Sequence, residues 1–248
     1  MTQKPYLLFD AGGTLLFMDQ DYLSRLADAH GFQVEARRFY DEHFRLVHRF
    51  DTHVRTHRQL PPKRPKPYLQ VLFERAGMPE QAAIQAAQEA EVKHKEQNLW
   101  TFTFPWIVEA LEQLKGQGYR MSVISNADGR VEQQLCDLGM ESYFDRIYDS
   151  AVVGIRKPEP GIYELALKDL GLRPQEALFV GDMFYIDIWG ANRAGIPGLH
   201  LDPLGLYEGW PGAHIQDLRQ LPDWLKGYAE AQERFDVLPL RHFALLPE

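Results

Sequence analysis

Asp10 is the residue of this chain whose setting most suggests chemistry. It follows the apolar segment Tyr6–Phe9 and opens the glycine-rich turn Ala11-Gly12-Gly13-Thr14. A carboxylate at the end of a short buried strand, followed by a turn that glycine makes easily, lies at the exposed edge of a sheet. The pattern therefore predicts a nucleophile at position 10.

Three further groups of polar residues follow Asp10 in an order and spacing that suit chemistry. They are Ser125-Asn126 after Met121–Ile124, Lys157 in Arg156-Lys157-Pro158, and Asp182 after Phe179-Val180-Gly181 with Asp187 five residues later. In an open parallel sheet, the ligand crevice lies beyond the carboxyl ends of the strands. Each group alone is a weak signal, but together they favour one functional site.

Each of these residues also has a purely structural interpretation. Asp10 and Ser125 could simply form turns, and Asp182 could cap the helix that follows it, which does not exclude metal binding. Lys157 and Asp187 could be solvated surface residues. If the acids do converge, however, they would repel one another and raise each other's pKa unless a cation balanced them. The acidic cluster itself therefore argues for a bound cation.

The elements that must position these residues alternate between strands and helices. The predicted strands are Tyr6–Phe9, Arg120–Ile124, Arg146–Val152, Ala177–Val180 and Gly198–Leu201. The predicted helices between them are Trp106–Lys115, Arg130–Leu138, Pro160–Asp169 and Tyr185–Ala194. This alternation indicates an α/β fold with a doubly wound parallel sheet, covered on both faces.

The stretch between the first two strands differs, because all of its apolar spacing is helical. Helices are predicted over Asp21–His30, Glu35–Phe50, Pro67–Ala76 and Pro79–Gln97, with a proline-rich connector at Leu60–Pro67. About 80 residues is too long for a simple crossover, so we predict a helical cap domain over 18–98 that covers the carboxyl edge of the sheet. The core domain is then 1–17 with 99–248. The weakly patterned segment Phe235–Leu246 could pack on the core or stay mobile.

With these motifs in place, the chain resembles the haloacid dehalogenase-like (HAD) hydrolase superfamily over nearly its whole length. The matching segments are Phe9–Leu15, Ile124-Ser125-Asn126, Lys157-Pro158, Gly181-Asp182 with Asp187, and the late segment Ile215–Pro222. The helical insert resembles the cap of the dehalogenase-type subfamily. The resemblance implies a Rossmann-like core with an inserted all-helical cap.

The resemblance also implies a Mg²⁺ site and a phosphatase activity. Asp10 would bind the ion with the Gly12 carbonyl and Asp182, while Asp187 would bind through water or orient the site. Mg²⁺ prefers such hard oxygen ligands.

The same resemblance assigns the handling of phosphate. Asp10 would attack phosphorus and carry an aspartyl-phosphate. Thr14, Ser125 and the Asn126 amide would hold the phosphoryl oxygens, and Lys157 would neutralise charge. Phosphoryl transfer needs mainly such positioning and charge neutralisation. The predicted substrate is a small anionic phosphorylated metabolite.

Gly12 departs from the family pattern, because family phosphatases usually carry an acid/base Asp two residues after the nucleophile. General acid–base help is typically worth about 10²–10⁴ in rate. The chain could be a slow or selective phosphatase whose proton comes from a cap histidine or whose substrate has a good leaving group. It could instead be a dehalogenase, or a phosphonate hydrolase in which Lys63 or Lys66 forms a Schiff base with the substrate. A third alternative is a metabolite- or partner-binding protein on a decayed enzyme scaffold.

Composition sets the remaining expectations. The 248 residues carry a net charge of -8 and a single cysteine, Cys136, so no internal disulfide is possible. An acidic chain argues against nucleic-acid binding. The apolar runs are too short for a membrane helix, and the start of the chain lacks a signal-peptide pattern. We therefore expect a cytoplasmic protein without membrane or nucleic-acid partners. Whether it is a monomer or a homodimer stays open.

One segment has the opposite charge. Arg37–Pro67 contains nine basic and three acidic residues, a net charge of +6 that leaves -14 for the rest, and four histidines. It could be a solvated helix face or could attract an anionic substrate. The aromatic residues of the insert could line a cleft, although their helical spacing favours a place in the core of the cap: Tyr22, Phe39, Tyr40, Phe44 and Phe50.

Overall fold

The computed structural model describes residues 4–61 and 66–231. The chain divides into two compact units, one made of Met1–Leu16 with Thr103–Glu248 and the other of Phe17–Phe102. Within the described residues the first unit is α/β and the second is helical, with its helices inserted between the first two strands. The predicted fold class, a parallel α/β core with a helical insertion, is confirmed.

The first unit is built on a six-stranded sheet whose paired strands all run parallel. The strands are β1 (Tyr6–Phe9), β2 (Met121–Ser125), β3 (Ile147–Asp149), β4 (Ala177–Gly181), β5 (Gly198–Leu201) and β6 (Ala213–Ile215). They lie in the order β3-β2-β1-β4-β5-β6. The chain therefore winds outward from β1 in both directions, and the switch point lies at β1, between β2 and β4.

The inserted unit has its own apolar core. Its helices are α1 (Gln20–Ala29), α2 (Ala36–His57), α3 (Tyr68–Ala76) and α4 (Glu80–Gln97). Asp19 caps α1 by accepting a hydrogen bond from the Tyr22 N–H at 2.8 Å. Leu23, Leu72 and Phe73 are fully buried in this core. Helix α2 continues beyond Phe50, where the prediction ended, because the buried Val54 extends its apolar face.

Along the chain, the helices of the first unit lie between or after its strands. They are α5 (Pro105–Gly116), α6 (Val131–Asp137), α7 (Ser150–Val153), α8 (Pro160–Leu170), α9 (Trp189–Arg193) and α10 (Leu221–Ala231). Helices α5 and α8 begin with proline, which suits the first turn because its missing N–H has no intrahelical partner there. Among the described residues, no helix combines the length and the apolar character needed to cross a membrane.

One predicted strand had the wrong end, and one strand was not predicted. The strand predicted over Arg146–Val152 ends at Asp149, because the Asp149 carboxylate accepts a hydrogen bond from the Ala151 N–H at 2.9 Å and starts α7. Strand β6 was missed because it has only three residues and a polar centre, His214. The predicted segment Phe235–Leu246 lies outside the described residues.

Candidate active site

The order of the strands brings the ends of β1, β2 and β4 to one edge of the sheet. The Asp10 N–H continues the ladder beyond β1 by donating to the Val180 carbonyl at 2.9 Å. Asn126 follows β2 directly, and Asp182 follows β4 directly. Since β1 pairs in parallel with both neighbours, residues that are more than 100 positions apart leave the sheet at the same place. This is the switch point, where α/β sheets bind ligands.

Lys157 joins two of the predicted acids. Its Nζ lies 2.5 Å from Asp10 Oδ1 and 2.7 Å from Asp187 Oδ1. Lys157 is only 3% exposed and Asp187 only 1% exposed, so neither is a solvated surface residue. The ammonium group also lies 5.2 Å from the centre of the Phe179 ring. The sequence motifs therefore meet in a buried ion-pair network.

Asp182 completes the cluster. Oxygens of Asp10, Asp182 and Asp187 lie within 4.8 Å of one another, and all three residues are buried. Three carboxylates and one ammonium group leave a surplus of two negative charges when all are ionised. A divalent cation would balance that surplus, and the donor set consists of the hard oxygens that Mg²⁺ prefers. The residues present therefore fit the predicted metal.

The pKa values of the cluster show the same imbalance. Burial, followed by repulsion from Asp187 and Asp182, raises the pKa of Asp10 to about 8, although Lys157 opposes the rise. Burial and then Asp187 raise the pKa of Asp182 well above its usual value. Burial alone would lower the pKa of Lys157, but the charges of Asp10 and Asp187 outweigh it and raise the pKa above its usual value. The charged form of Lys157 is therefore favoured, and its single positive charge can balance only one of the three carboxylates.

Two glycines allow the acids to approach so closely. A Cβ on Gly13, whose φ is +84°, would lie 2.5 Å from Asp182 Oδ2. A Cβ on Gly181 would lie 2.6 Å from Asp187 Cγ. Asp187 is also drawn back toward the strand end, because its Oδ2 accepts a hydrogen bond from the Met183 N–H at 3.0 Å. The glycines of both motifs are therefore needed for space beside a carboxylate.

Asn126 binds the backbone of Lys157. Its Nδ2 donates to the Lys157 carbonyl at 2.9 Å, and its Oδ1 accepts from the Lys157 N–H at 2.8 Å. The amide predicted to hold phosphoryl oxygens is thus engaged with the peptide that carries the lysine. Contact of this amide with a phosphoryl group stays a prediction, as does the predicted role of Ser125, which is buried at the end of β2.

Thr14 and Gly12 lie in the turn after β1. The Ala11 carbonyl holds this turn by accepting hydrogen bonds from the N–H groups of Thr14, Leu15 and Leu16 at 3.2, 2.8 and 2.8 Å. Thr14 is fully buried, and within the described part of the chain its Oγ1 has no hydrogen-bond partner. A buried hydroxyl in this state is suited to an acceptor on a ligand. Its predicted role, and that of the Gly12 carbonyl, stay predictions.

Several of the basic residues of the inserted unit form ion pairs with acidic residues of the same unit. Glu42 is only 1% exposed, and its carboxylate accepts ion pairs from Arg38 at 3.2 Å, Arg45 at 3.1 Å and Arg75 at 3.1 Å. Lys66 pairs with Glu74 and Glu80, both at 2.8 Å. The excess of arginines around Glu42 nevertheless keeps this face of the unit positive.

Two of the five aromatic residues named for the insert belong to its core or pack against it. Phe39 is buried in the core cluster, with Tyr22 packed against it. Phe39 and Tyr40 also line a small apolar pocket together with His43 and Trp100. His43 is buried, and its Nδ1 lies 2.6 Å from the Tyr68 hydroxyl. The prediction that the helical spacing of Phe39 reflects the core of the insert is therefore confirmed.

Several residues that support the site gave no recognisable signal in the sequence. Asp149 and Ser150 hold the loop after β2 by accepting hydrogen bonds from the Gly129 and Ala127 N–H groups at 2.9 and 3.1 Å. Tyr163 donates to the Ile186 carbonyl at 2.8 Å, next to Asp187. Their roles depend on contacts with distant segments, which leave no local pattern in the sequence.

The similarities to known proteins agree with this geometry. Residues 6–195 match a family model described as haloacid dehalogenase-like hydrolase. A glyceraldehyde 3-phosphate phosphatase of Methanothermobacter thermautotrophicus is 38% identical over 97 residues, 39% of this chain and 43% of that protein. A phosphoserine phosphatase of Thermus thermophilus is 28% identical over 165 residues, 64% of each chain. The chain thus spans about two fifths of the first of these relatives and under two thirds of the second.

One solved structure with the same fold is named as a dehalogenase and not as a phosphatase. The 2-haloacid dehalogenase of Pseudomonas syringae is 25% identical with a TM-score of 0.54, and the alignment covers 91% of this chain and all of that one. Fold similarity therefore does not separate phosphatase from dehalogenase chemistry, and the residues of the site must do so.

We expect Mg²⁺ to stabilise the folded protein and to do so more strongly as the pH rises. Because the pKa values of Asp10 and Asp182 are raised, protons compete with Mg²⁺ for these carboxylates until about pH 8. As the pH rises toward 8, the metal-free protein therefore loses stability. Over the same range, the binding of Mg²⁺ becomes stronger. At about 100 times its Kd, Mg²⁺ should raise the melting temperature by roughly 5–10 °C. Thermal melts with chelator or Mg²⁺ from pH 6 to 8 measure this.

Two variants test whether the effect comes from the cluster. Asp182→Asn should remove the Mg²⁺-dependent rise, while Asp169→Asn, which changes an exposed carboxylate of the same unit, should keep it. A rise that is independent of pH, or that survives in Asp182→Asn, would contradict the assignment.

Proposed function

The chain belongs to the haloacid dehalogenase-like hydrolase family, and on that basis we propose that it is a Mg²⁺-dependent phosphatase of a small anionic metabolite. The supporting observation is the buried contact of Lys157 with both Asp10 and Asp187, beside Asp182. We also propose a cytoplasmic location, which suits the exposed free thiol of Cys136.

The chemical step that we propose begins at Asp10. Lys157 occupies Oδ1, so Oδ2 is the candidate attacking atom. It would form a bond to phosphorus while the bond from phosphorus to the leaving oxygen breaks and its electron pair departs with that oxygen. Water would then attack phosphorus, release inorganic phosphate and restore the Asp10 carboxylate. Splitting one substitution into two is the usual advantage of a carboxylate nucleophile.

The other proposed roles follow from charge. Lys157 would favour the ionised form of Asp10 and reduce its repulsion from the phosphate. Thr14 Oγ1 and Ser125 Oγ would donate hydrogen bonds to the transferred group. Mg²⁺, held by Asp10, the Gly12 carbonyl and Asp182 with Asp187 as an outer partner, would neutralise charge on the phosphoryl oxygens.

The contacts of the described residues favour phosphate chemistry over the alternatives. A Schiff-base lysine needs a lowered pKa, whereas Glu74 and then Glu80 raise the pKa of Lys66. Lys63, the other candidate, lies outside the described residues. Halide displacement from carbon has no need for a divalent cation, so the buried acids Asp182 and Asp187 support a phosphatase rather than a dehalogenase.

The first test is the release of phosphate from an aryl phosphate. We expect release to require Mg²⁺ and to fall to background in Asp10→Asn, because the nucleophile is lost. Lys157→Met should lower kcat by about 10²–10³, the usual effect of removing one group that stabilises transition-state charge. The exposed Lys168→Met is the matched control. Halide release from a haloacid that survives chelator would instead identify a dehalogenase.

Asn126 is tested by a double-mutant cycle with Lys157. If the Asn126 amide acts by holding the lysine backbone, Asn126→Ala should lower kcat/KM about tenfold or more in the parent and very little in Lys157→Met. If Asn126 binds the phosphoryl group itself, the two losses should multiply. Binding of Mg²⁺ should change little in Asn126→Ala, because Asp182 and Asp10 keep their positions.

Gly12 sets the expected dependence on the leaving group. With no carboxylate at position 12 to protonate it, the departing oxygen must be stable as an anion, as in aryl and acyl phosphates. Gly12→Asp should therefore raise kcat for alkyl phosphates, by up to about 10²–10⁴, and leave acyl phosphate turnover nearly unchanged. Initial rates on matched aryl, acyl and alkyl phosphates measure this. An equal change on all three would show that protonation is not what the site lacks.

A further inference from the structure

His200 makes a buried contact with the backbone of a proposed metal ligand. It lies in β5 opposite Gly181 of β4, and its Nε2 is 2.9 Å from the carbonyl oxygen of Asp182. A carbonyl can only accept a hydrogen bond, so Nε2 carries the proton. The imidazole therefore holds the peptide at the point where the chain leaves the sheet, and where the Asp182 side chain turns toward the other acids.

Asp182 is confined from a second side. Its carboxylate packs against the backbone of Gly13, so closely that a Cβ there would lie 2.5 Å from Oδ2. With Gly13 on the carboxylate and His200 on the carbonyl, both ends of the residue are fixed. A small rotation of the Asp182 peptide would therefore move its oxygens relative to those of Asp10 and Asp187, which lie within 4.8 Å.

The ring of His200 is itself held rigidly. It is 1% exposed, and its Nδ1 lies 3.0 Å from Nδ1 of His214 on the neighbouring strand. The rings of Tyr207 and Phe184 pack against it with centroids 4.3 and 5.8 Å away. Asp202 fixes Tyr207 in turn, because its Oδ2 accepts from the Tyr207 N–H at 2.9 Å. The imidazole is therefore held at both ring nitrogens and packed against two aromatic rings.

We infer that His200 is a positioning residue that sets the affinity of the Asp10, Asp182 and Asp187 cluster for a divalent cation. The inference rests on the proposed function for the identity of the cation site. His200 acts through the Asp182 peptide and has no contact of its own with the ion. Outer-shell partners of this kind orient ligands, and their loss typically costs 10–100-fold in metal affinity.

The test measures binding of Mn²⁺, used as a spectroscopic substitute for Mg²⁺, by electron paramagnetic resonance of the free ion. His200→Leu removes the donor and should weaken Mn²⁺ binding about 10–100-fold. His200→Gln can still donate an N–H to the carbonyl and should restore most of the affinity. Leu201→Ala is the matched control, because it removes buried apolar packing from the next residue of the same strand, on the opposite face of the sheet from His200.

Each result decides for or against the inference. Equal Mn²⁺ affinity in His200→Leu and the parent would overturn it, as would an equal loss in Leu201→Ala at the same drop in melting temperature. If His200→Leu does not fold, His214→Leu, which frees the imidazole, should show a smaller loss in the same direction, and unchanged affinity there would overturn the inference.

The proposed function fails in a different way. If the parent binds Mn²⁺ with the predicted His200 dependence but releases no phosphate from any substrate, the inference stands and the phosphatase proposal falls. If the parent binds no Mn²⁺, both are overturned.

Discussion

The balance of charge in one buried cluster constrains the whole first unit. Asp10, Asp182 and Asp187 place three carboxylates around a single ammonium group, away from water. Burying like charges is costly unless a counter-charge lies beside them. Lys157 supplies part of it, but its single charge lies among three carboxylates, and burial with repulsion from Asp187 and Asp182 raises the pKa of Asp10. The fold thus buries a surplus of carboxylates that either protons or a divalent cation would balance.

The topology of the sheet makes this cluster possible. Because β1 lies between β2 and β4, its end meets the ends of two strands that come from distant parts of the chain. Position along the strands alone would not bring the oxygens together, however. Gly13 and Gly181 remove the side chains that would separate the turns from the carboxylates. The order of the strands therefore determines which residues lie side by side, and the two glycines determine how closely the carboxylates can approach the turns.

The parts that the sequence could predict are those set by local pattern. Apolar segments that end in Asp10 and Asp182 predicted the strand ends, because hydrophobic runs and glycine turns are local signals. The predicted end of β3 was wrong, because the Asp149 side chain caps the next helix and ends the strand before the apolar segment does. The engagement of Asn126 with Lys157 and of His200 with Asp182 could not be predicted, because each joins segments that are far apart in the chain. Long-range side-chain contacts of this kind have no period or spacing to detect.

The consequence of having glycine at position 12 depends on the residues around it. Asp10, Lys157, Thr14 and the acidic pair are the residues proposed to handle the transferred group, and all of them are buried. A decayed scaffold would be expected to lose these costly buried charges, since apolar replacements are often neutral or stabilising. Their presence beside Gly12 supports the proposal that the site can transfer a phosphoryl group but gives less help to the leaving group. Selectivity would then come from the chemistry of the bond that breaks, so that substrates with stable leaving anions react and simple alkyl phosphates do not.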